Sequence, residues 1–290
     1  MFFAGIDVGG TTVKLGVMDE NGQIVFKGAV NSIVDNPEAM ADRIAQALSD
    51  YAGKLAAAGI SCAGRVNSQT NLVIAGNLKW VDVPFGKLVE ERLGCPVAID
   101  NDVAGALMAE WKFGACKGEK NVVYISFGTG VGGAFLIDGE TFRGYNNTGG
   151  EIGHMITHAE GLPCACGGHG CYEKYAAATA LIRMAGGLEP REIFRRAEAG
   201  DEEMNAVLDA YVHEIAIGLS GLICVFRPQL VVVGGGISNA GEPLLRRLRD
   251  HVFNKCPSIP NQEKPRVELA MMGNDAGMIG GCAMAMELVK

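Results

Sequence analysis

Two related α/β halves are the fold class this sequence predicts, and three observations predict it. The chain has 290 residues, about twice the common size of a single domain. A strand, a Gly/Thr turn and a second strand occur twice: residues 2–8, 9–12 and 13–18, then 121–127, 128–133 and 134–137. After each copy, helical and strand periodicities alternate, as in layered α/β folds. Gly114 to Lys120 is the natural boundary, so domains 1–118 and 119–290 are expected, with the last helix packing back on the first domain. A cleft between such halves is a usual place for a ligand.

The elements follow in order. Asp19-Glu20-Asn21-Gly22 is turn chemistry between strand 13–18 and strand 23–30. Pro37 opens an amphipathic helix expected to run to about Ala58, with Pro in the favourable first turn. Strands are expected near 59–63 and 72–74, a helix over 85–93, a strand over 96–99, and a helix from Asn101-Asp102 to about Phe113. Beyond the second Gly/Thr turn, helices are expected over 172–184, 190–199 and 202–226. Strand 230–233, helix 243–255, strand 267–270 and helix 275–288 complete the chain.

Lys plus Arg number 25 and Asp plus Glu 33, a net charge of −8. That leaves no cationic excess to neutralise phosphates, so neither nucleic acid nor an anionic membrane is an expected partner. The apolar stretch 215–226 is too short to span a bilayer, and the first residues lack a basic signal-peptide region. A soluble cytoplasmic protein is expected. Of nine cysteines, six (Cys62, Cys95, Cys116, Cys224, Cys256 and Cys282) stand singly in apolar surroundings and read as buried thiols.

Glycine, 41 of 290 residues, gathers at strand ends, where it permits a sharp turn or a close ligand. Asp7-Val8-Gly9-Gly10-Thr11-Thr12-Val13-Lys14 combines a carboxylate, two glycines, two hydroxyls and a lysine. It suits an anion-binding nest, or an ordinary tight turn. The segment from Gly128 through Thr129 and Gly130 to Gly133 matches GxGxxG, but residues 134–137 continue as strand. A dinucleotide fingerprint must open a helix, so the match is a decoy. Gly234-Gly235-Gly236 ends a buried strand and would let a purine approach the backbone, or simply pack helix on strand. Together the three turns read as a phosphate clamp with an adenosine seat.

His154 is followed by Cys164, Cys166 and Cys171, a Cys₃His set with the composition of a closed, structural zinc site. His169, and more weakly His158, compete for the nitrogen position. Glu151 and Glu173 flank this knuckle. They suit bidentate recognition of vicinal hydroxyls, or are plain surface glutamates. Asp102 is a candidate helix N-cap; the positive helix end would also keep its carboxylate ionised and able to accept a proton.

On these residues the chain resembles the ROK (repressor, open reading frame, kinase) sugar kinases along essentially its whole length. The match runs in order through 7–14, Asn77-Leu78-Lys79-Trp80, Asn101-Asp102, 128–133, 149–154, the knuckle ending in Glu173, and 234–236. The resemblance implies an actin-like ATPase (ribonuclease H-like) fold of two α/β domains with a central cleft, phosphorylating a hexose from ATP with Mg²⁺. It implies Asp102 as the base toward a sugar hydroxyl, usually O6. Gly64, Asn77, Asn101, Glu151, His154 and Glu173 would line or hold the sugar. Asp7, Gly9, Gly10, Thr11, Thr12 and Lys14, with Gly128, Thr129 and Gly130, would hold the phosphates, and a homodimer is implied.

Residues 61–66 depart from the family's Gly-Pro-rich run, and Tyr172 and Lys174 stand where Leu and Ala are common. These departures bear on which sugar is taken, not on the class. Glucose is the default; fructose, allose, mannose and N-acetylmannosamine are alternatives within the class. Repressors of the family carry a helix-turn-helix before the first hairpin, for which Asp7 leaves no room. A non-catalytic sugar-sensing protein is disfavoured by the presence of Asp102 and the phosphate turns.

Overall fold

The computed structural model describes residues 1–255 and 264–290. They form two compact units: Met1–Lys117 with Arg143–Gly149 and Met272–Lys290, and Gly118–Phe142 with Gly150–Met271.

The first unit contains β1 (Phe2–Val8), β2 (Thr12–Asp19), β3 (Ile24–Asn31), α1 (Pro37–Ala47), β4 (Leu55–Cys62), β5 (Arg65–Asn67), β6 (Leu72–Ala75), β7 (Trp80–Val83), α2 (Phe85–Leu93), β8 (Val97–Asn101) and α3 (Asp102–Phe113). The chain's last helix, α9 (Ala276–Glu287), lies on its sheet. The second unit contains β9 (Val122–Phe127), β10 (Val131–Ile137), β11 (Glu140–Phe142), α4 (Glu173–Ala176), α5 (Ala178–Met184), α6 (Pro190–Glu198), α7 (Glu202–Phe226), β12 (Leu230–Gly234), α8 (Glu242–Asp250) and β13 (Arg266–Leu269).

The sheet orders are β3-β2-β1-β4-β8 and β11-β10-β9-β12-β13. In each, an antiparallel meander of three strands is extended by two parallel strands. The repeat in the sequence is thus a repeat of topology, that of the actin-like ATPase fold. β5, β6 and β7 form a small separate antiparallel sheet.

Local chemistry explains most boundaries. Asp19 Oδ1 accepts from the Asn21 and Gln23 N–H groups at 2.9 Å, closing the β2–β3 turn. Asn36 caps α1 by accepting from Ala39, with Pro37 in the first turn.

Several expectations need correction. The helix from Pro37 stops at Ala47, because the small residues 56–59 belong to β4, buried beside β1, instead of a helix. Tertiary burial overrides alanine's helix propensity there. β5 and β7 carry no strong strand signal and were not expected. The helix over 172–184 breaks at Ala177, whose ψ of 162° is extended. The helix from Pro243 ends at Asp250 and continues as a wider π turn over His251–Lys255.

Cys224 is exposed on α7, whereas Cys62, Cys95, Cys116 and Cys282 are buried as expected; Cys256 lies outside the described residues. α7, with 25 residues, is long and apolar enough to cross a membrane by length and composition. Its Met204, Leu208, Tyr211, Val212, Ile215 and Leu219 are instead buried in the second unit's core.

Glu110, fully buried in α3, accepts from the N–H groups of Ala115 and Met272, both at 2.8 Å. One carboxylate therefore fixes the chain just before it leaves the first unit and where it returns. Glu110→Ala strands two half-buried donors, at about 1 kcal/mol or more each. Stability measured by urea unfolding is expected to fall by at least about 2 kcal/mol, read as a lower midpoint with m unchanged.

Candidate functional site

In the first unit, the β1–β2 hairpin is closed by the Gly9 N–H on Thr12 O at 3.1 Å, leaving Thr11 and Thr12 exposed at its tip. Ser32 pins the turn from outside: its N–H reaches Thr11 O at 2.9 Å and its hydroxyl reaches Gly9 O at 2.7 Å. A Cβ on Gly10 would stand 2.9 Å from Asn77 Nδ2, so the fold brings Asn77 against the glycine turn.

Asp7 lies 3.5 Å from Lys14 Nζ, which also donates to Asn274 Oδ1 at 3.0 Å. Lys14 is thus turned toward the segment before α9 and not toward Thr11 or Thr12. Burial raises the Asp7 carboxyl above its usual range, with Lys14 opposing the rise. A Cβ on Gly277 of α9 would sit 2.6 Å from that carboxylate.

At the end of β8, Asn101 and not Asp102 is the N-cap of α3. Its Oδ1 accepts from the Ala104 N–H at 2.7 Å, with extended backbone at ψ 162°. Asp102 is the first helical residue, exposed, its Oδ1 accepting from the Val103 N–H at 3.0 Å. The buried Cys62 thiol is pushed up to about 12 by burial and then by the Asp102 and Asp7 carboxylates. Gly64 has φ +139°, and a Cβ there would meet Ile74 O at 2.5 Å, so this position requires glycine.

In the second unit, the turn between β9 and β10 closes through the Gly128 N–H on Gly130 O at 2.9 Å. Gly128 O accepts from the Ala178 N–H at 2.9 Å, and Thr129 stands exposed at the tip. Because β10 begins at Val131, the GxGxxG match opens a strand, as expected. Gly133 accommodates Ile152, and Gly153 accommodates Val131 O, so the short turn carrying Glu151 and His154 lies directly on β10. A Cβ on Gly130 would stand 3.0 Å from Glu173 Oε2. Tyr172, beside Glu173, is fully buried and donates to Ile215 O at 2.7 Å; this departure belongs to the core.

The knuckle is knitted by backbone: Ile156 pairs with Cys171, Pro163 with His169, and the Tyr172 N–H reaches Met155 O at 2.8 Å. The donor atoms of His154, Cys164, Cys166 and Cys171 all lie within 4.8 Å of one another. Tetrahedral thiolates about 2.3 Å from zinc sit roughly 3.8 Å apart, so the set fits. His154 turns Nδ1 to Cys164 Sγ at 3.7 Å. His158 instead stacks on Tyr175 at 3.8 Å, its Nε2 3.5 Å from Glu214, and exposed His169 is outside the donor group. Glu173 Oε1 lies 3.2 Å from Cys164 Sγ, and Glu151 is exposed.

Of the three glycines at the end of β12, Gly234 packs on Tyr124 and Gly235, at φ +80°, on Phe127 O. Gly236 alone of them lines a cavity of about 800 Å³, with Ile237, Asn239, Pro190, Phe194 and Arg195. Sequence reasoning missed the α6 side of this cavity, and also Ser32 and Gly277. Each acts through contacts distant in sequence, with no local motif to mark it.

The profile of the ROK family matches residues 3–288. Glucokinase of Streptomyces coelicolor is 34% identical over 98% of this chain and 97% of its own length. The xylose repressor of Caldicellulosiruptor bescii is 27% identical over 98% of this chain and 77% of its own length. The ROK family glucokinase of Streptomyces griseus, solved with glucose and AMPPNP, is 30% identical with a TM-score of 0.82, covering 99% of this chain and 100% of that one.

Fold and residues together define a sugar kinase. The chain belongs to the ROK family.

Proposed function

We propose that this protein is a cytoplasmic, homodimeric hexose kinase that transfers the γ-phosphate of ATP to O6 of glucose, with Asp102 as general base. The observation that carries this reading is the end of β8. There Asn101 takes the capping role, which leaves the Asp102 carboxylate exposed on the first turn of α3. A carboxylate so placed accepts the proton of an attacking hydroxyl.

The first unit supplies Asp102, Asn77, Asn101 and the Gly64 surface toward the sugar, and Gly9, Gly10, Thr11 and Thr12 toward phosphate. Asp7 is its carboxylate toward Mg²⁺, with Lys14 as Asp7's neighbour. The second unit supplies Glu151, His154 and Glu173 toward sugar hydroxyls, Gly128, Thr129 and Gly130 toward phosphate, and the cavity beside Gly236 toward adenosine. Mg²⁺, when bound, neutralises phosphate charge in a reaction that otherwise needs mainly alignment. The likeness to a glucokinase solved with glucose and AMPPNP supports sugar and donor alike.

His154, Cys164, Cys166 and Cys171 would hold a structural zinc ion. With Nδ1 turned to the thiols, His154 keeps Nε2 for a sugar hydroxyl, and Glu173 is held beside Cys164. Gly170 and Gly167 test this. Both have positive φ, but a Cβ on Gly170 would lie 1.6 Å from His158 O, whereas one on Gly167 meets nothing within 4 Å. Gly170→Ala is expected to lose most of its zinc, and Gly167→Ala, strained only through its φ of +90°, to lose less, as read by elemental analysis of purified protein.

The deciding experiment is ADP release from Mg-ATP across glucose, fructose, allose, mannose and N-acetylmannosamine. Strong turnover with glucose supports the assignment, and strong turnover with another sugar keeps the class and replaces the substrate. No turnover in zinc-loaded protein sinks the kinase reading in favour of a sugar-sensing role.

A further inference from the structure

Asp100 precedes the Asn101-Asp102 pair and is 6% exposed. Its Oδ1 accepts from the Asn101 N–H at 2.8 Å. Its Oδ2 meets the guanidinium of Arg143, a residue 43 positions later in the chain. Arg143 opens the segment Arg143–Gly149, which belongs to the first unit although the residues on either side of it do not. That segment is closed on itself by the Gly149 N–H on Arg143 O at 2.7 Å, and the guanidinium also donates to Ser68 Oγ at 3.3 Å.

We propose that Arg143 is a positioning residue for Asp102, acting through Asp100. A carboxylate this buried needs a cation or donors against it, and a planar guanidinium fixes direction as well as charge. With Oδ2 held by Arg143, Oδ1 is left to Asn101. The Asn101 side chain in turn caps Ala104 and sets where α3 begins. Asp102, as the first residue of that helix, takes its direction from this chain of contacts. Burial lowers the Arg143 pKa from the usual arginine value. No substrate contact is assigned to Arg143.

The inference rests on Asp102 as the base, and the test separates the two. Arg143→Gln is expected to lower kcat about 10–100-fold, the scale of a misplacement near 1 Å, with a smaller change in the KM for sugar. Arg143→Lys restores part of the loss. Asp100→Asn behaves like Arg143→Gln, and the double variant is no worse than the poorer single. In an Asp102→Asn background, Arg143→Gln should have no further effect on residual turnover, whereas a merely structural ion pair would lower both backgrounds equally.

Hydrogen exchange gives a readout independent of catalysis: Arg143→Gln should speed exchange at Asn101 and Ala104 as well as at Gly149. Unchanged kcat, an equal loss in the Asp102→Asn background, or unchanged exchange at Asn101 and Ala104 overturns the proposal. Full turnover of Asp102→Asn alone sinks the base assignment instead, and exchange then still decides whether Arg143 sets the start of α3.

Discussion

Asp102→Asn is expected to lower kcat for sugar phosphorylation by about 10²–10⁴-fold, the usual contribution of a positioned general base. The KM for sugar should change little, because Asn keeps the shape and a hydrogen-bonding oxygen. Folding should be nearly untouched: the side chain is exposed at the first position of α3, and the cap belongs to Asn101. The cost is the favourable placement of a negative charge at a helix start, about 0.3–1 kcal/mol. Steady-state kinetics beside a melting curve checks both halves. A large fall in melting temperature would reassign Asp102 to structure, and retained turnover would remove it as the base.

The second large effect is on stability. Gly5 and Gly59 are register partners on β1 and β4, and α9 crosses directly over them. A Cβ on Gly5 would meet Met278 O at 2.0 Å, and one on Gly59 would meet Gly281 O at 2.0 Å. A Cβ on Gly280 would likewise meet Gly105 O of α3 at 1.9 Å, so the α9 backbone touches both the sheet and α3 with no side chain between them. Backbone cannot rotate aside as a side chain can.

Gly59→Ala is therefore expected to cost at least the roughly 1–3 kcal/mol of an overpacked core. That lowers the melting temperature by about 2–12 °C at roughly 2–4 °C per kcal/mol. Gly59→Val should yield no soluble protein. α9 also carries Gly277 against Asp7, so folded Gly59→Ala protein should turn over more slowly as well. Calorimetry checks the first effect and kinetics the second; an unchanged melting temperature would mean the helix can withdraw freely.

The residues that sequence reading found are those whose chemistry is local. The three knuckle cysteines lie within 164–171, and the glycine turns each sit between two strands that can be read on their own. Asn101 and Asp102 are adjacent, and either side chain can cap a helix; the structure gives the cap to Asn101 because its backbone is extended while that of Asp102 is already helical.

Sequence reading puts His154 in the donor set, with His169 and His158 as competitors. Backbone pairing of Ile156 with Cys171 and of Pro163 with His169 leaves His154 facing the thiols. Residues 55–62 illustrate the reverse case. Their alanines favour helix locally, yet they are buried as β4, because pairing with β1 and β8 outweighs the few tenths of a kcal/mol of propensity per residue.

The sequence by itself determined the duplicated strand–turn–strand plan, the knuckle and the acid at the start of α3. Each is written in residues within a turn or two of one another, where backbone geometry and side-chain chemistry act directly. The tertiary structure alone decided which glycines face a cavity and which face a neighbouring backbone. It alone joined Arg143 to Asp100, and Ser32 to the β1–β2 hairpin. Those pairings depend on close packing between segments far apart in the chain, and no spacing in a sequence encodes which buried surfaces will meet.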